Sequence, residues 1–229
     1  MVQIKVGIVA CDIFKREIEH LTAGDPDIVH QEFLEFALHV NSEEMRQTVL
    51  DKINALQGMV DAVFIGYAVC QKLNGLPRET EVPSVMLDGD DCISVLLGPV
   101  EYAKEKAVCT GTWFSTPGWA EQGMEAVIKE LHLDSMVDQG YDPMFFVDMI
   151  FHAYGRCLYI DTGVGDRKQY EEMSQRFADQ LKLPHSSRCG DISRLAEGIR
   201  KTKELAAVTP AATARMAGVG PEIPSGAQQ

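Results

Sequence analysis

Cys11, Cys70 and Cys92 each stand at or just past the end of a short apolar run, and that placement is the main chemical signal in the chain. The stretch VFIGYAVCQKLNGL, Val63–Leu76, shows the pattern. An apolar run reads as a strand, breaks at Gly66-Tyr67 and leaves Cys70 beyond its end. Cys11 closes the run Ile4–Ala10. Cys92 follows Ser84–Leu87 at the start of a helical pattern, and Cys189 ends a later short run, His185–Cys189. Thiolates suit zinc and iron–sulfur clusters equally well, so the spacing leaves the metal undecided. None of the cysteines forms a CxxC pair, which would be the stronger signal. A helix N-terminus favours thiolate at Cys92, so a redox thiol with a resolving neighbour is a third use of the same residues. The bland alternative is packing, because free cysteine is a small and often buried hydrophobe. Cys109 and Cys157, inside apolar runs read as strands, fit that alternative.

Other residues gather around the same ends. His39 closes a run as the cysteines do and is a candidate additional ligand, as are Cys189 and Asp91. Asp88, Asp90 and Asp91 in LDGDDC could supply a carboxylate ligand, a general base or a solvated turn. Glu17, in the helical pattern after Cys11, reads as a surface residue. CTGTWFSTPGW, Cys109–Trp119, holds both tryptophans. Aromatics and hydroxyls leaving a strand together suit a ligand-binding loop. The candidate contacts are Thr110, Gly111, Thr112, Trp113, Thr116, Pro117, Gly118 and Trp119, with Gly66 and Tyr67 from the first stretch. GxGxxG, P-loop, HExxH and GxSxG motifs are absent from the sequence, which removes most support for dinucleotide, ATP and serine-hydrolase readings.

The elements that must position these residues alternate. Strand patterns are expected at 4–10, 60–65, 84–87, 107–112, 157–161 and 185–189, and 28–40, whose length also permits a helix, reads as a strand ending near Leu38-His39. Helical patterns are expected at 12–21, 41–57, 93–106 (with Pro99 as an interruption), 119–131, 141–154, 166–183 and 192–205. Asn41 and Glu44 form the pattern of a capping box. Such alternation implies an α/β fold with a mostly parallel sheet and helices on both faces. The chain divides into an α/β domain at 1–207, with a lobe division near 110–140 giving two Rossmann-like lobes, and a segment at 208–229. That last segment, rich in Pro, Gly, Ala and Ser, reads as a flexible tail or a partner-binding arm.

Composition bounds the partners. The 229 residues carry a net charge of −13, which disfavours nucleic acid and anionic membrane surfaces. No segment reaches the ~20 apolar residues of a membrane span. MVQIKVGIVAC reads as a buried strand rather than a signal peptide. The chain therefore reads as cytoplasmic, where six cysteines point to ligands, catalysis or packing more than to disulfides. A homo-oligomer is compatible with the sequence.

These residues together resemble the prokaryotic family known as domain of unknown function 1638. The resemblance rests on ACD at Ala10–Asp12, LH at Leu38-His39, GYAVC at Gly66–Cys70, DDCISVLLG at Asp90–Gly98 and GTWFSTPGW at Gly111–Trp119. YIDTG at Tyr159–Gly163 and CGD at Cys189–Asp191 extend it over most of residues 4–205. It picks out Cys11, Cys70 and Cys92 as the matching cysteines. Two departures stand out: Asp90 replaces a histidine of the family pattern, and Gln71-Lys72 replaces its Gly-Asn. The resemblance implies a companion of corrinoid-dependent methyltransferases in anaerobic one-carbon metabolism. On that reading a cysteine-ligated zinc or iron–sulfur protein binds a small ligand, with a corrinoid protein or methyltransferase as partner. A non-catalytic adaptor for a corrinoid protein and a thiol redox protein are the alternatives.

Overall fold

A computed structural model of the chain describes residues 4–35, 42–70, 72–137 and 140–209. The first half runs β1 (Val6–Cys11), α1 (Lys15–Thr22), β2 (Ile28–Leu34), α2 (Ser42–Asn54), β3 (Ala62–Gly66), β4 (Ser84–Met86), α3 (Cys92–Leu97) and α4 (Pro99–Val108). The second half runs β5 (Thr112–Ser115), α5 (Pro117–Glu130), α6 (Asp134–Val137), α7 (Pro143–Phe151), β6 (Arg156–Asp161), α8 (Arg167–Gln180), β7 (His185–Cys189) and α9 (Ser193–Ala207). The fold is α/β, with two parallel sheets flanked by helices. One sheet has the order β2-β1-β3-β4 and the other β5-β6-β7. Among the described residues, no helix is long and apolar enough to cross a membrane.

The central strands explain why the apolar runs are continuous rather than alternating. Every residue of β1 and β3 is buried, because helices cover both faces of the first sheet. Val9, Ile8, Phe64 and Ile65 anchor this core with no exposed surface. The second sheet has its own apolar cluster, in which Val147, Phe151 and Phe177 pack with Trp113.

α9 follows the second sheet in sequence yet packs on the first, against β3, β4 and β1. Its buried residues Leu195, Gly198, Ile199, Thr202 and Ala206 recur at helical spacing. Burying leucine and isoleucine side chains contributes roughly 1.5–3 kcal/mol each. The close approach requires glycine at 198, where a Cβ would lie 2.5 Å from Phe64 Cε2.

Several boundaries differ from the sequence expectation. The expected strand 107–112 is helix through Val108, with Cys109 N–H donating to the Glu105 carbonyl; the strand is Thr112–Ser115, which pairs with β6. Cys109 therefore lies outside any strand and is partly exposed, whereas Cys157 is fully buried in β6. The single helix expected at 93–106 is two helices, divided at Gly98 (φ 74°), with Pro99 opening the second. The expected loop over 110–119 is replaced by β5 and the start of α5. Thr116 caps α5 and Pro117 occupies its first turn, where a missing N–H costs nothing. β2 ends at Leu34. Leu38, His39 and the expected cap Asn41 lie outside the described residues, as does 210–229.

Gly198→Ala tests the docking of α9. Intrinsic helix propensity alone would raise stability by about 1 kcal/mol. Crowding against a fully buried ring should outweigh it, for a net loss of roughly 1–2 kcal/mol in urea unfolding. Unchanged or raised stability would show that the helix does not seat there as described.

Candidate functional site

The strand order of the first sheet reverses direction between β1 and β3, and ligands of open α/β sheets bind beyond the carboxyl ends of strands at such a switch point. Cys11 is the last residue of β1. Ala10 pairs with Gly66 as the last pair of that ladder, Cys11 ends β1, and Tyr67 follows the end of β3. Gly66 is needed there, since a Cβ would stand 2.4 Å from the Ala10 Cβ. The segment after β3 then joins the segment after β4: Val69 N–H donates to Gly89 (2.9 Å) and Cys70 N–H to Asp90 (3.0 Å). Cys70 takes the left-handed conformation, with φ 39°.

Asp91 brings Cys92 into place. Its Oδ1 accepts from Ser94 N–H (2.8 Å) while its own N–H donates to Ser94 Oγ (3.0 Å), a reciprocal cap on α3. Its Oδ2 accepts from Tyr102 Oη at 2.5 Å. Both carboxylate oxygens thus hold local structure, which weakens Asp91 as an additional ligand.

The second half of the chain closes over this crevice. Trp119 N–H donates to Thr116 Oγ1 (3.4 Å) at the start of α5. Gly118 lies against the backbone of Ile13, where a Cβ would be 2.5 Å from the carbonyl oxygen. The Trp119 side chain hydrogen-bonds Cys92, Gln122 Nε2 donates to Asp12 Oδ2 (3.3 Å), and Arg16 pairs with Glu121. Trp113 backs Trp119 edge-on at 5.3 Å and stacks on Phe177 at 5.1 Å.

The structure therefore gathers Cys11, Tyr67, Cys70, Cys92 and Trp119, with Thr116, Pro117 and Gly118 beside them and Gly66 beneath. Thr110, Gly111 and Thr112 stand at the opposite, amino end of β5. There Thr112 Oγ1 donates to the Cys109 carbonyl (2.6 Å) and accepts from Arg156 Nε (2.9 Å), and the Gly111 carbonyl accepts from Gly155 (2.7 Å). Cys189 ends β7 in register with Asp161 and is exposed.

Electrostatics reverse one expectation. Burial pushes the Cys70 thiol up to about 11, with Asp91 adding to it and the Ala68 backbone opposing. Cys92 keeps some exposed surface as a residue, yet its thiol is enclosed. Burial, then Cys11, Cys70 and Asp91, hold that thiol well above the ordinary range, while Trp119 draws it down. The helix N-terminus does not prevail, because desolvation of a thiolate outweighs the dipole of a six-residue helix. The side-chain charges acting on Cys70 and Cys92 are all acidic. Tyr67 shares this field, and its Oη is buried without a partner, a cost of about 1–3 kcal/mol. Among the described residues, no three His, Cys, Asp or Glu side chains already stand in an arrangement that holds a metal ion.

Glu17 corrects the sequence reading. It is 1% exposed, and its Oε1 accepts from Thr162 Oγ1 at 2.8 Å across the seam between the two halves. Its Oε2 and the nearby Tyr159 Oη are buried without partners. The available signal was its spacing: Glu17 lies four residues after Ile13 and four before Leu21, on the apolar face of its helix. Burial raises its carboxyl above the ordinary value of 4.5, and the Thr162 hydrogen bond only partly opposes this. A raised carboxyl means the folded state holds the proton more tightly. The resulting stability is full below 4.5 and is lost as pH rises through the folded value. Glu17→Gln keeps a group for Thr162 and removes the titration. Urea midpoints measured from about pH 4 to about pH 8 should fall for the wild type relative to this variant. Parallel profiles would show that burial does not raise the Glu17 carboxyl.

No curated protein and no solved structure matches this chain. A family model matches residues 33–199, a span that contains Cys70, Cys92, the Thr116–Trp119 cap and Thr162, whereas Cys11 and Glu17 precede it. The chain belongs to the family described as protein of unknown function (DUF1638).

Proposed function

We propose that Cys11, Cys70 and Cys92 bind a soft metal centre, zinc or an iron–sulfur cluster, and that the protein presents this centre to a small ligand beneath the start of α5. The observation that carries the reading is that Cys11 and Cys70, from two other strand ends, both act on the enclosed Cys92 thiol at one switch point, together with Asp91. A cation converts that repulsion into attraction and makes thiolate the stable form. The donor set fits, since thiolates select zinc and iron–sulfur centres. The side chains must turn to reach ligating positions. Turning a side chain off its rotamer costs about 0.5–1.5 kcal/mol, against about 10–16 kcal/mol for binding structural zinc. When bound, zinc would supply Lewis acidity toward a thiol or water, and a cluster would bind ligand or pass electrons. Trp119 would hold Cys92 in place, and the α5 cap would exclude water.

The family resemblance extends this reading to corrinoid-dependent methyl metabolism, with a corrinoid protein or methyltransferase as partner. A thiol redox role is less favoured, because attack on a disulfide needs thiolate and burial keeps Cys70 and Cys92 protonated at neutral pH.

Metal, sulfide and absorption analysis of protein purified without oxygen tests the proposal. About one metal ion or cluster per chain is expected. Cys70→Ser and Cys92→Ser should lose it, while Cys109→Ser and Cys157→Ser keep it. Equal metal content in all four variants, or none in the wild type, would remove the site.

A further inference from the structure

The segment YDPMFFVDMIF, Tyr141–Phe151, turns apolar residues both inward and outward. On the inner side Val147 and Phe151 are buried, and the Phe151 ring meets Trp113 edge-on at 5.2 Å. On the outer side Phe145 and Met149 are each 60% exposed, with Tyr141 at 57% and Ile150 at 44%. Among the described residues, ten large hydrophobic side chains are exposed, and four of them fall in this one segment. Scattered singly, such residues need no explanation, but a contiguous patch marks an interaction site.

The patch is already ordered. Asp142 Oδ1 accepts from Met144 N–H (2.9 Å), and Pro143 opens the first turn of α7. Tyr141 precedes that cap and meets Phe146, the fourth helical residue, at 6.1 Å between ring centroids, which fixes the entry of the chain into the helix. Phe146 in turn meets Phe145 edge-on at 5.4 Å. A face held in this way loses little freedom when it is covered.

Charge selects what covers it. The segment has two aspartates and no lysine or arginine. Nucleic acid and anionic membranes are disfavoured, because helices that lie on membranes carry basic residues beside their apolar face. A second copy of the chain fits. Asp148 and His152 are exposed one turn apart, on the same side of the helix as Phe145 and Met149. A two-fold axis between Asp148 and Met149 lays two such helices antiparallel. It brings Phe145 to the partner's Met149 and Asp148 to the partner's His152, so apolar meets apolar and carboxylate meets imidazole. Large aromatic side chains offer about 150–250 Å² each, so at these exposures the four supply roughly 400 Å² per copy. A standard interface takes about 800 Å² per partner, so the patch is the apolar centre of such an interface and its polar neighbours form the rim. We propose that α7 is a dimerisation surface, closed by α7 of a second copy in an isologous, antiparallel contact.

Sedimentation velocity of the full chain over a range of concentrations tests the proposal. The wild type should show a reversible monomer–dimer equilibrium with a micromolar dissociation constant. Phe145→Asp and Met149→Lys should each weaken it by about 30-fold or more, the effect of losing a central anchor. The double variant, in which the new carboxylate faces the partner's new ammonium, should recover part of that loss. Val100→Asp, at a 65% exposed position of α4, should match the wild type. Circular dichroism shows whether each variant keeps its fold. A wild type that stays monomeric at every concentration overturns the proposal. So does a dimer that the folded single variants leave intact, or one that Val100→Asp weakens equally. A double variant that recovers nothing overturns the antiparallel pairing.

Discussion

The approach of Gly118 to the backbone of Ile13 is the contact on which the enclosed site depends. A Cβ at 118 would stand 2.5 Å from the Ile13 carbonyl oxygen and 2.9 Å from its Cα, and neither backbone atom can swing aside as a side chain can. Because glycine allows this approach, the start of α5 can sit directly on the turn that follows β1. Trp119 then reaches Cys92, Gln122 reaches Asp12, and Arg16 pairs with Glu121. The same seating brings Thr162 to Glu17. It also sets Trp119 against the Cys92 thiol.

Burial by the second half of the chain sets the electrostatic character of the crevice. Three arginines that bridge the two halves are engaged by glutamates. Arg156 and Arg188 pair with Glu105, Arg188 also with Glu101, and Arg16 with Glu121. Cys70, Cys92 and Tyr67 are left in a field of acidic groups, and all of them are held in their protonated forms by desolvation. Such a field disfavours negative charge on any of these groups.

Much of this was legible from the residues. The buried parallel strands declared themselves as continuous apolar runs, because a strand covered on both faces has no solvent side to mark with polar residues. Strand ends in such a sheet share one rim, which is why Cys11, Cys70 and Cys92 could be grouped across 81 positions of sequence. Boundaries were harder where two signals competed. Val108 suits a strand by type, yet it completes α4, and the sheet takes Thr112–Ser115 instead. The aromatic and hydroxyl residues of 110–119 form one group in sequence but divide between opposite ends of β5. Four residues of strand carry the chain from one rim of the sheet to the other.

The sequence by itself determined the α/β class, the parallel sheets and the strand-end cysteines, since these follow from local periodicity and from a rule about where parallel strands present their ends. Only the tertiary structure decided the state of the groups placed there. Whether Cys92 would answer to its helix N-terminus or to burial depended on α5, and whether Glu17 would meet water or Thr162 depended on a residue 145 positions away. Local pattern encodes which face an element turns inward. Desolvation depends on everything that later packs against that face, and in this chain the covering elements come from the other half of the sequence.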